Sequence, residues 1–351
     1  MTDTKETIAA RIRDAARHKT ALQLLGGNTK AFYGRSIQAT PLCLADYSGV
    51  VEYEPSELYI TARCGTPLTA IEQIIGEENQ MLPFEPPHFG TTATLGGAIA
   101  AGLAGPGRVS SGTVRDSMLG AEIINGKGEY LCFGGKVMKN VAGYDVSRLM
   151  CGALGTLGVL MSVTLRLLPK PQCEQTVVIA EAPVDAIHKM NAWALTPMPI
   201  TATFHDGKSL YVRLTGSSST IEKCQDEIGG ERIEQSELFW IRVREQTHEA
   251  FASDAPLWRI QVPPSTDPLD ITGPCAMEWN GALRWHATHT DASTIREVTR
   301  QAGGQACQFR GPAIEHVFNP LPSALLKIHQ RLKHAFDPEG ILNPGKMYPQ
   351  F

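Results

Sequence analysis

The residues best suited to chemistry lie in two glycine-rich stretches. Between Pro83 and Pro169 the chain reads PPHFGTTATLGGAIA and later CGALGTLGVL, and no Asp, Glu, Lys or Arg occurs between Pro86 and Gly107. A chain gives up side chains in this way where its backbone must approach something closely. A small-residue helix in a core would account for residues 96–103. It leaves unexplained the second series, Gly152, Gly155 and Gly158, beyond a hydrophobic hairpin. The other stretch is Gly26-Gly27-Asn28-Thr29-Lys30, directly after the apolar ALQLL. Paired glycines let several N–H groups converge on one anion; Thr29 adds a hydroxyl and Lys30 a positive charge, a combination suited to a diphosphate. A plain strand-end turn would use the same residues. Neither the Walker pattern nor the Rossmann fingerprint is present.

These loops need elements to hold them. Apolar spacing predicts a surface helix over residues 4–18 (Ile8, Ile12, Ala15, Ala16) and a short buried strand before the paired glycines. Strands are expected at residues 50–53 and 58–62, and a helix over 67–75 with Thr66 as N-cap. Asn125-Gly126-Lys127-Gly128 predicts a hairpin between residues 118–124 and 129–133. Asp145 is expected to cap a short helix, and residues 157–168 to form a long buried strand.

Composition shifts at Pro169, where the glycine clusters end. Beyond it, strands are expected at 176–180, 201–205, 210–215, 257–262, 275–279 and 282–287, with helices at 184–195, 219–228, 237–251 and 294–301. This alternation suggests an α+β sheet with helices on one face. A final amphipathic helix covers 321–336, and the tail reads FDPEGILNPGKMYPQF.

The chain has 351 residues, room for two cores. A formal net charge of −4 and scattered basic residues argue against a nucleic-acid binder. The charged N-terminal region is unlike a signal peptide, so a cytoplasmic location is expected. No two of the eight cysteines lie within five residues of each other. That spacing disfavours zinc or iron–sulfur ligation and suggests free thiols; no metal site is expected.

The combination of GGNTK, PPHFGTTATLGGAIA, GTVRD, KNVAGYD, GTLGV and FDPEGILNPGK resembles the vanillyl-alcohol oxidase/PCMH flavoprotein superfamily. Within it, the chain is similar to the FAD-binding subunits of glycolate oxidase (the GlcE type). The resemblance implies an α+β chain in three parts. Residues 1–170 form a PCMH-type FAD-binding domain of two α/β subdomains, 171–320 an α+β cap, and 321–351 a C-terminal helix and tail returning to the FAD domain. It assigns Gly26, Gly27, Asn28, Thr29 and Lys30 to the pyrophosphate loop, and Thr94, Gly96 and Gly97 to the segment passing along pyrophosphate and flavin. Gly112 and Arg115 fall in the segment after it, Gly155, Gly158 and Val159 in the G-t-L-G-V turn, and Asn343 and Lys346 in the terminal motif. Packing of the last turn is an equal role for those two. Some members bind FAD covalently through a His after the paired glycines. Asn28 stands there, which implies non-covalent FAD.

The resemblance further implies an FAD-dependent oxidoreductase that converts glycolate to glyoxylate as one subunit of a complex. Its partners would be a second flavin subunit and an iron–sulfur subunit passing electrons toward quinone, with peripheral association at the inner membrane through the complex. Oxidising a 2-hydroxy acid needs a cation for the carboxylate and a base for the hydroxyl proton. Arg284 and His286 share a face of a strand and are the first candidates, with Arg310 next; ordinary structural roles are the alternative. The H-x-H-x-G-D-G-N histidine cluster of the related catalytic subunit is missing. A self-sufficient 2-hydroxy-acid dehydrogenase and a non-catalytic FAD-holding subunit therefore stay open beside the leading reading.

Overall fold

The computed structural model describes residues 4–135 and 145–351. Of the KNVAGYD motif only Asp145 falls within them. The chain divides into two units and crosses between them at four points, one of them after Pro169, where the composition shifts. Unit 1 is Met1–Leu103, Thr113–Pro169 and Ala313–Phe351; unit 2 is Ala104–Gly112 and Lys170–Pro312. The second unit thus takes in a short segment around Gly112, and the tail returns at Ala313 rather than at residue 321.

Unit 1 opens with α1 (Lys5–His18), β1 (Leu22–Leu25), β2 (Thr40–Cys43), β3 (Val50–Glu54), β4 (Tyr59–Arg63), α2 (Leu68–Glu77), β5 (Gln80–Met81) and α3 (Leu95–Ala101). After α4 (Arg108–Ser111), which belongs to unit 2, it continues with α5 (Val114–Ser117), β6 (Met118–Ile124), β7 (Tyr130–Gly134), α6 (Val146–Leu149), β8 (Val159–Arg166) and β9 (Leu168–Pro169). β1 and β2 pair in parallel, and a parallel bridge from Leu22 to Leu342 brings in the tail. Strands β3-β4-β8-β6-β7 form an antiparallel sheet.

Local chemistry accounts for several boundaries. Thr4 caps α1 by accepting the Thr7 N–H at 3.3 Å. Asn125 Oδ1 accepts the N–H groups of Lys127 and Glu129, both at 3.0 Å, and so shapes the β6–β7 turn. Asp145 Oδ1 caps α6 through the Arg148 N–H at 3.2 Å. Thr66 does not cap α2: Pro67 holds that position, while the Thr66 hydroxyl accepts the Gly49 N–H and donates to the Arg63 carbonyl. Ile8 and Ile12 of α1 pack with Leu42, Val159, Met161, Ile341 and Leu342 in one core.

Unit 2 contains β10 (Cys173–Ala180), α7 (Pro183–Trp193), β11 (Ile200–His205), β12 (Ser209–Gly216), α8 (Ser218–Ile228), β13 (Glu231–Arg232), α9 (Ser236–Arg244), β14 (Leu257–Gln261), β15 (Cys275–Glu278), β16 (Leu283–Ala287), α10 (Ala292–Gln301) and β17 (Gln305–Arg310). The strands form one eight-stranded sheet in the order β13-β10-β12-β11-β15-β16-β14-β17, every described pair antiparallel. Helices cover both faces. Val177 packs with Ile187 of α7 and Ile221 of α8. Its neighbour Thr176 points the other way, where its hydroxyl accepts Trp240 Nε1–H of α9 at 2.7 Å. The expected helix at 237–251 stops at Arg244 and is followed by a separate 3-10 turn at Glu249–Phe251.

The face bearing α7 also receives Arg284 and His286. Arg284 lies opposite Met277, which belongs to the α7 cluster, and His286 lies opposite Cys275 and Trp258. Both are almost wholly buried, at 1% and 3% exposure. Among the described residues, neither ring nitrogen of His286 has a hydrogen-bond partner. Burial, with the charge of Arg284 second, lowers its pKa from 6.5 to about 4.

In unit 1, α11 (Ser323–Phe336) ends on a buried ion pair. Lys333 Nζ donates to Asp337 Oδ2 at 2.7 Å, to the Leu342 carbonyl at 2.7 Å and to the Thr156 carbonyl at 2.8 Å. Asp337 in turn accepts the N–H groups of Ile341 and Leu342. Removing one partner of such a pair strands the other charge. Lys333→Met is therefore expected to cost about 3–5 kcal/mol in urea unfolding, and Lys333→Met with Asp337→Leu to recover a large part.

The His286 shift sets a second expectation. Between its folded pKa of about 4 and the unfolded 6.5 the unfolded chain binds more protons, so stability falls as pH drops through that window and is flat above it. The loss from this residue between pH 7 and pH 4 amounts to about 3 kcal/mol. Urea unfolding of His286→Leu across the same range should show a decline smaller by that amount.

Candidate functional site

The largest grouping of the sequence-derived site residues surrounds one cavity, entirely within unit 1. It encloses about 950 Å³ including its open mouth. Its floor is the loop from Gly26 to Ala31 after β1. The start of α3 (Thr94, Gly96, Gly97) forms one wall, the turn with Leu154, Gly155 and Gly158 a second, and Asn343 with Lys346 of the tail closes it. Leu24, Leu44, Tyr33, Ile37, Cys64 and Leu160 supply apolar surface.

The glycines are required by close approach. A Cβ on Gly27 would lie 1.5 Å from the Thr92 carbonyl oxygen, and one on Gly26 would lie 2.3 Å from Thr94 Oγ1. A Cβ on Gly96 would lie 2.7 Å from that of Cys64. Thr92 Oγ1 donates to the Gly27 carbonyl at 2.8 Å and locks the two loops together. Asn28 adopts φ 56, a left-handed conformation that an Asn tolerates. A left-handed residue of this kind is what an anion nest uses to let successive N–H groups converge. Among the described residues, no protein acceptor receives the N–H groups of Gly27, Asn28 or Thr29. The first N–H groups of α3 are otherwise committed: Leu95 N to the Thr66 carbonyl, Gly96 N to the Cys64 carbonyl, Gly97 N to Thr94 Oγ1.

Charge and fixation come from around this nest. Thr29 Oγ1 donates to the His88 carbonyl at 2.6 Å and Lys30 Nζ to the same oxygen at 3.2 Å. Lys346 Nζ donates to the Ala31 carbonyl at 3.2 Å, and burial lowers its pKa. The Asn343 amide spans two walls: its Oδ1 accepts the Leu24 N–H at 2.8 Å and its Nδ2 donates to the Leu154 carbonyl at 2.7 Å. Unfilled backbone donors, lysines beside them and an apolar extension are the donor set that a dinucleotide with a diphosphate and a planar ring system needs. The residues fit FAD.

Three of the assigned residues do not line the cavity. Val159 is fully buried in the core beneath α1. Arg115 is exposed on α5, with Nε donating to the Arg148 carbonyl at 3.3 Å. Gly112 ends α4 in unit 2, at φ 94. Conversely, Tyr33, Ile37, Cys64 and Leu160 line the cavity without having been singled out. Only the alternation of β8 could have pointed to Leu160; the others depend on how the loops fold back.

Arg284 and His286 come together on β16 but face the interior of unit 2. The Arg284 guanidinium donates to the carbonyls of Gly281 and Thr266, the latter at 2.6 Å. Burial lowers its pKa as well. Arg310 ends β17, half-buried, its guanidinium 5.6 Å from the Phe309 ring centre. Elsewhere in unit 2, Asp206, His248 and Glu249 bring potential metal-ligating atoms within 4.8 Å of one another. His248 Nδ1 already accepts the Ala250 N–H at 3.2 Å, which commits that lone pair.

Comparison with known proteins agrees with this geometry. Residues 1–134 match the family described as FAD binding domain, and residues 320–347 match FAD linked oxidases, C-terminal domain. The glycolate oxidase subunit GlcE of Escherichia coli is 41% identical over 348 residues, which are 99% of this chain and 98% of that protein. The glycolate oxidase subunit GlcD of Bacillus subtilis is 24% identical, covering 85% of this chain and 77% of its own. Among solved structures, alkyldihydroxyacetonephosphate synthase superposes with a TM-score of 0.66 over 97% of this chain and 75% of the other, at 11% identity, a likeness of fold. No described helix is long and apolar enough to cross a membrane. With an FAD-type cavity in unit 1 and near-complete alignment to one subunit type, the chain belongs to the GlcE family of FAD-binding glycolate oxidase subunits.

Proposed function

We propose that this chain is the FAD-holding subunit of a complex that oxidises glycolate to glyoxylate. The observation that carries this is the 41% identity over 99% of the chain to a glycolate oxidase subunit. When bound, FAD supplies a two-electron acceptor for a hydride from the 2-hydroxy acid. The chain's own part begins with the Gly27–Thr29 N–H groups, which bind the diphosphate. Lys30 and Lys346 offset its charge, and the Asn343 amide holds the cavity walls at a fixed spacing. The apolar lining from Leu24 to Leu160 excludes water from the ring system. Asn28 offers no nucleophile for a flavin linkage, so FAD is held without a covalent bond. Electrons leave for an iron–sulfur partner and quinone, beside a second flavin subunit.

Arg310 is the cation we assign to the substrate carboxylate. Arg284 and His286 enter as a positioning pair, because Arg284 is bonded to two carbonyls and His286 is neutral at pH 7. That same burial favours a second reading, in which this subunit relays electrons and the substrate meets the other flavin subunit.

Two measurements bear on these readings. Gly27→Ala places a Cβ against the Thr92 carbonyl and is expected to lower the FAD content of the purified chain about tenfold or more, while Gly216→Ala, with nothing within 4 Å of its added Cβ among the described residues, leaves the FAD content unchanged. Anaerobic addition of glycolate to the FAD-loaded chain should bleach the flavin band, and acid denaturation should release all flavin into solution. Bleaching only after partner subunits are added establishes the relay reading. No bleaching in the full complex overturns both.

A further inference from the structure

α11 is an unusual surface element of unit 1. Lys333 is its one buried side chain. Leu325, Ile328 and Leu332 follow at spacings of three and four, which places them on one side of the helix. Among the described residues that side is not covered: Leu325 is 40% exposed and Ile328 59%, with Leu332 partly exposed toward the C-terminal end. Lys327, Arg331 and His334 recur at four and three on a neighbouring side and are all exposed. The helix SALLKIHQRLKHAF contains no Asp or Glu, although the whole chain carries a net charge of −4. On the opposite flank His329 packs on Tyr348 and Phe351, with ring centres 6.3 and 6.0 Å away, and Tyr348 meets Phe318 at 6.0 Å. These three aromatic side chains are half-buried.

We propose that the outer side of α11 seats on an anionic lipid surface. Charge complementarity selects the occupant: a helix that is locally basic on a net acidic chain meets negative headgroups, while protruding aliphatic side chains enter the acyl boundary. Arg331 lies beside the aliphatic stripe, where a long side chain buries its stem and keeps its charge at headgroup level. Half-exposed Tyr and Phe rings beside the helix suit the same depth. Two exposed aliphatic side chains and two basic ones make the association weak and reversible, a contact on the surface with no span through it.

The test uses the FAD-loaded full-length chain and sedimentation with vesicles. Vesicles containing one-third phosphatidylglycerol should pellet the chain, pure phosphatidylcholine should retain roughly tenfold less, and 0.5 M salt should reverse most of the binding. Leu325→Ser with Ile328→Ser, and separately Lys327→Glu with Arg331→Glu, should each abolish pelleting while flavin content stays normal. Failure of the wild-type chain to pellet with the anionic vesicles, or pelleting that both variants retain, overturns the proposal. Failure to pellet combined with loss of a co-purifying chain in the Leu325→Ser/Ile328→Ser variant also overturns it and assigns the surface to a protein partner. None of these readouts depends on glycolate.

Discussion

A buried ammonium holds the first unit together. Lys333 reaches from α11 to the Thr156 carbonyl in the G-T-L-G-V turn and to the Leu342 carbonyl in the tail, and Asp337 balances its charge. Leu342 bridges to β1 in parallel, and the next residue, Asn343, bonds both β1 and Leu154. Two walls of the cofactor cavity are thereby tied to the same few residues near the C-terminus. Burial opposes the charge on Lys333 and Asp337 favours it. Three acceptors around one ammonium satisfy all of its donors, which is what makes a charge in that position tolerable. The hairpin turn is fitted to the same spot, since a Cβ on Gly126 would lie 2.2 Å from Asp337 Oδ1.

This arrangement explains why the last thirty-odd residues matter to a site whose loops begin at Gly26. The two glycine stretches meet backbone to backbone, Gly27 against Thr92 and Gly26 against Thr94. Among the described residues, no protein acceptor receives the N–H groups of Gly27, Asn28 and Thr29 in this loop. Their cost in an empty cavity and their value to a diphosphate come from the same geometry. The tail then limits how far the walls can separate.

The second unit is organised on a different principle. Its sheet has helices on both faces, and much of its polar content is sealed inside: Arg284 on carbonyls, His286 without a partner, Trp285 Nε1–H donating to Glu278 at 2.7 Å. Interior polar groups that are satisfied fix a packing. One that is unsatisfied makes the unit sensitive to acid. The arginine and histidine that the sequence singled out thus serve the interior of this unit.

Composition and spacing alone determined the strongly periodic elements of this protein, among them α1, β6–β7, β8, α8 and α11, because a repeat of 2 or 3.6 residues is written locally. They also marked Gly26–Lys30 and Thr94–Gly97 as candidates for a close backbone approach, while a strand-end turn and a small-residue core helix would have used the same residues. Other features were decided by tertiary structure. β2 has four residues, one of them Pro41, and β17 reads QACQFR; neither alternates clearly, and both exist because a neighbouring strand offers a ladder. The 104–112 segment looks continuous with the glycine stretch yet belongs to the other unit. The shared face of Arg284 and His286 was legible from the period of a strand. Which side of the sheet that face turned to was not, because a two-residue period names two faces without saying which of them a helix will cover.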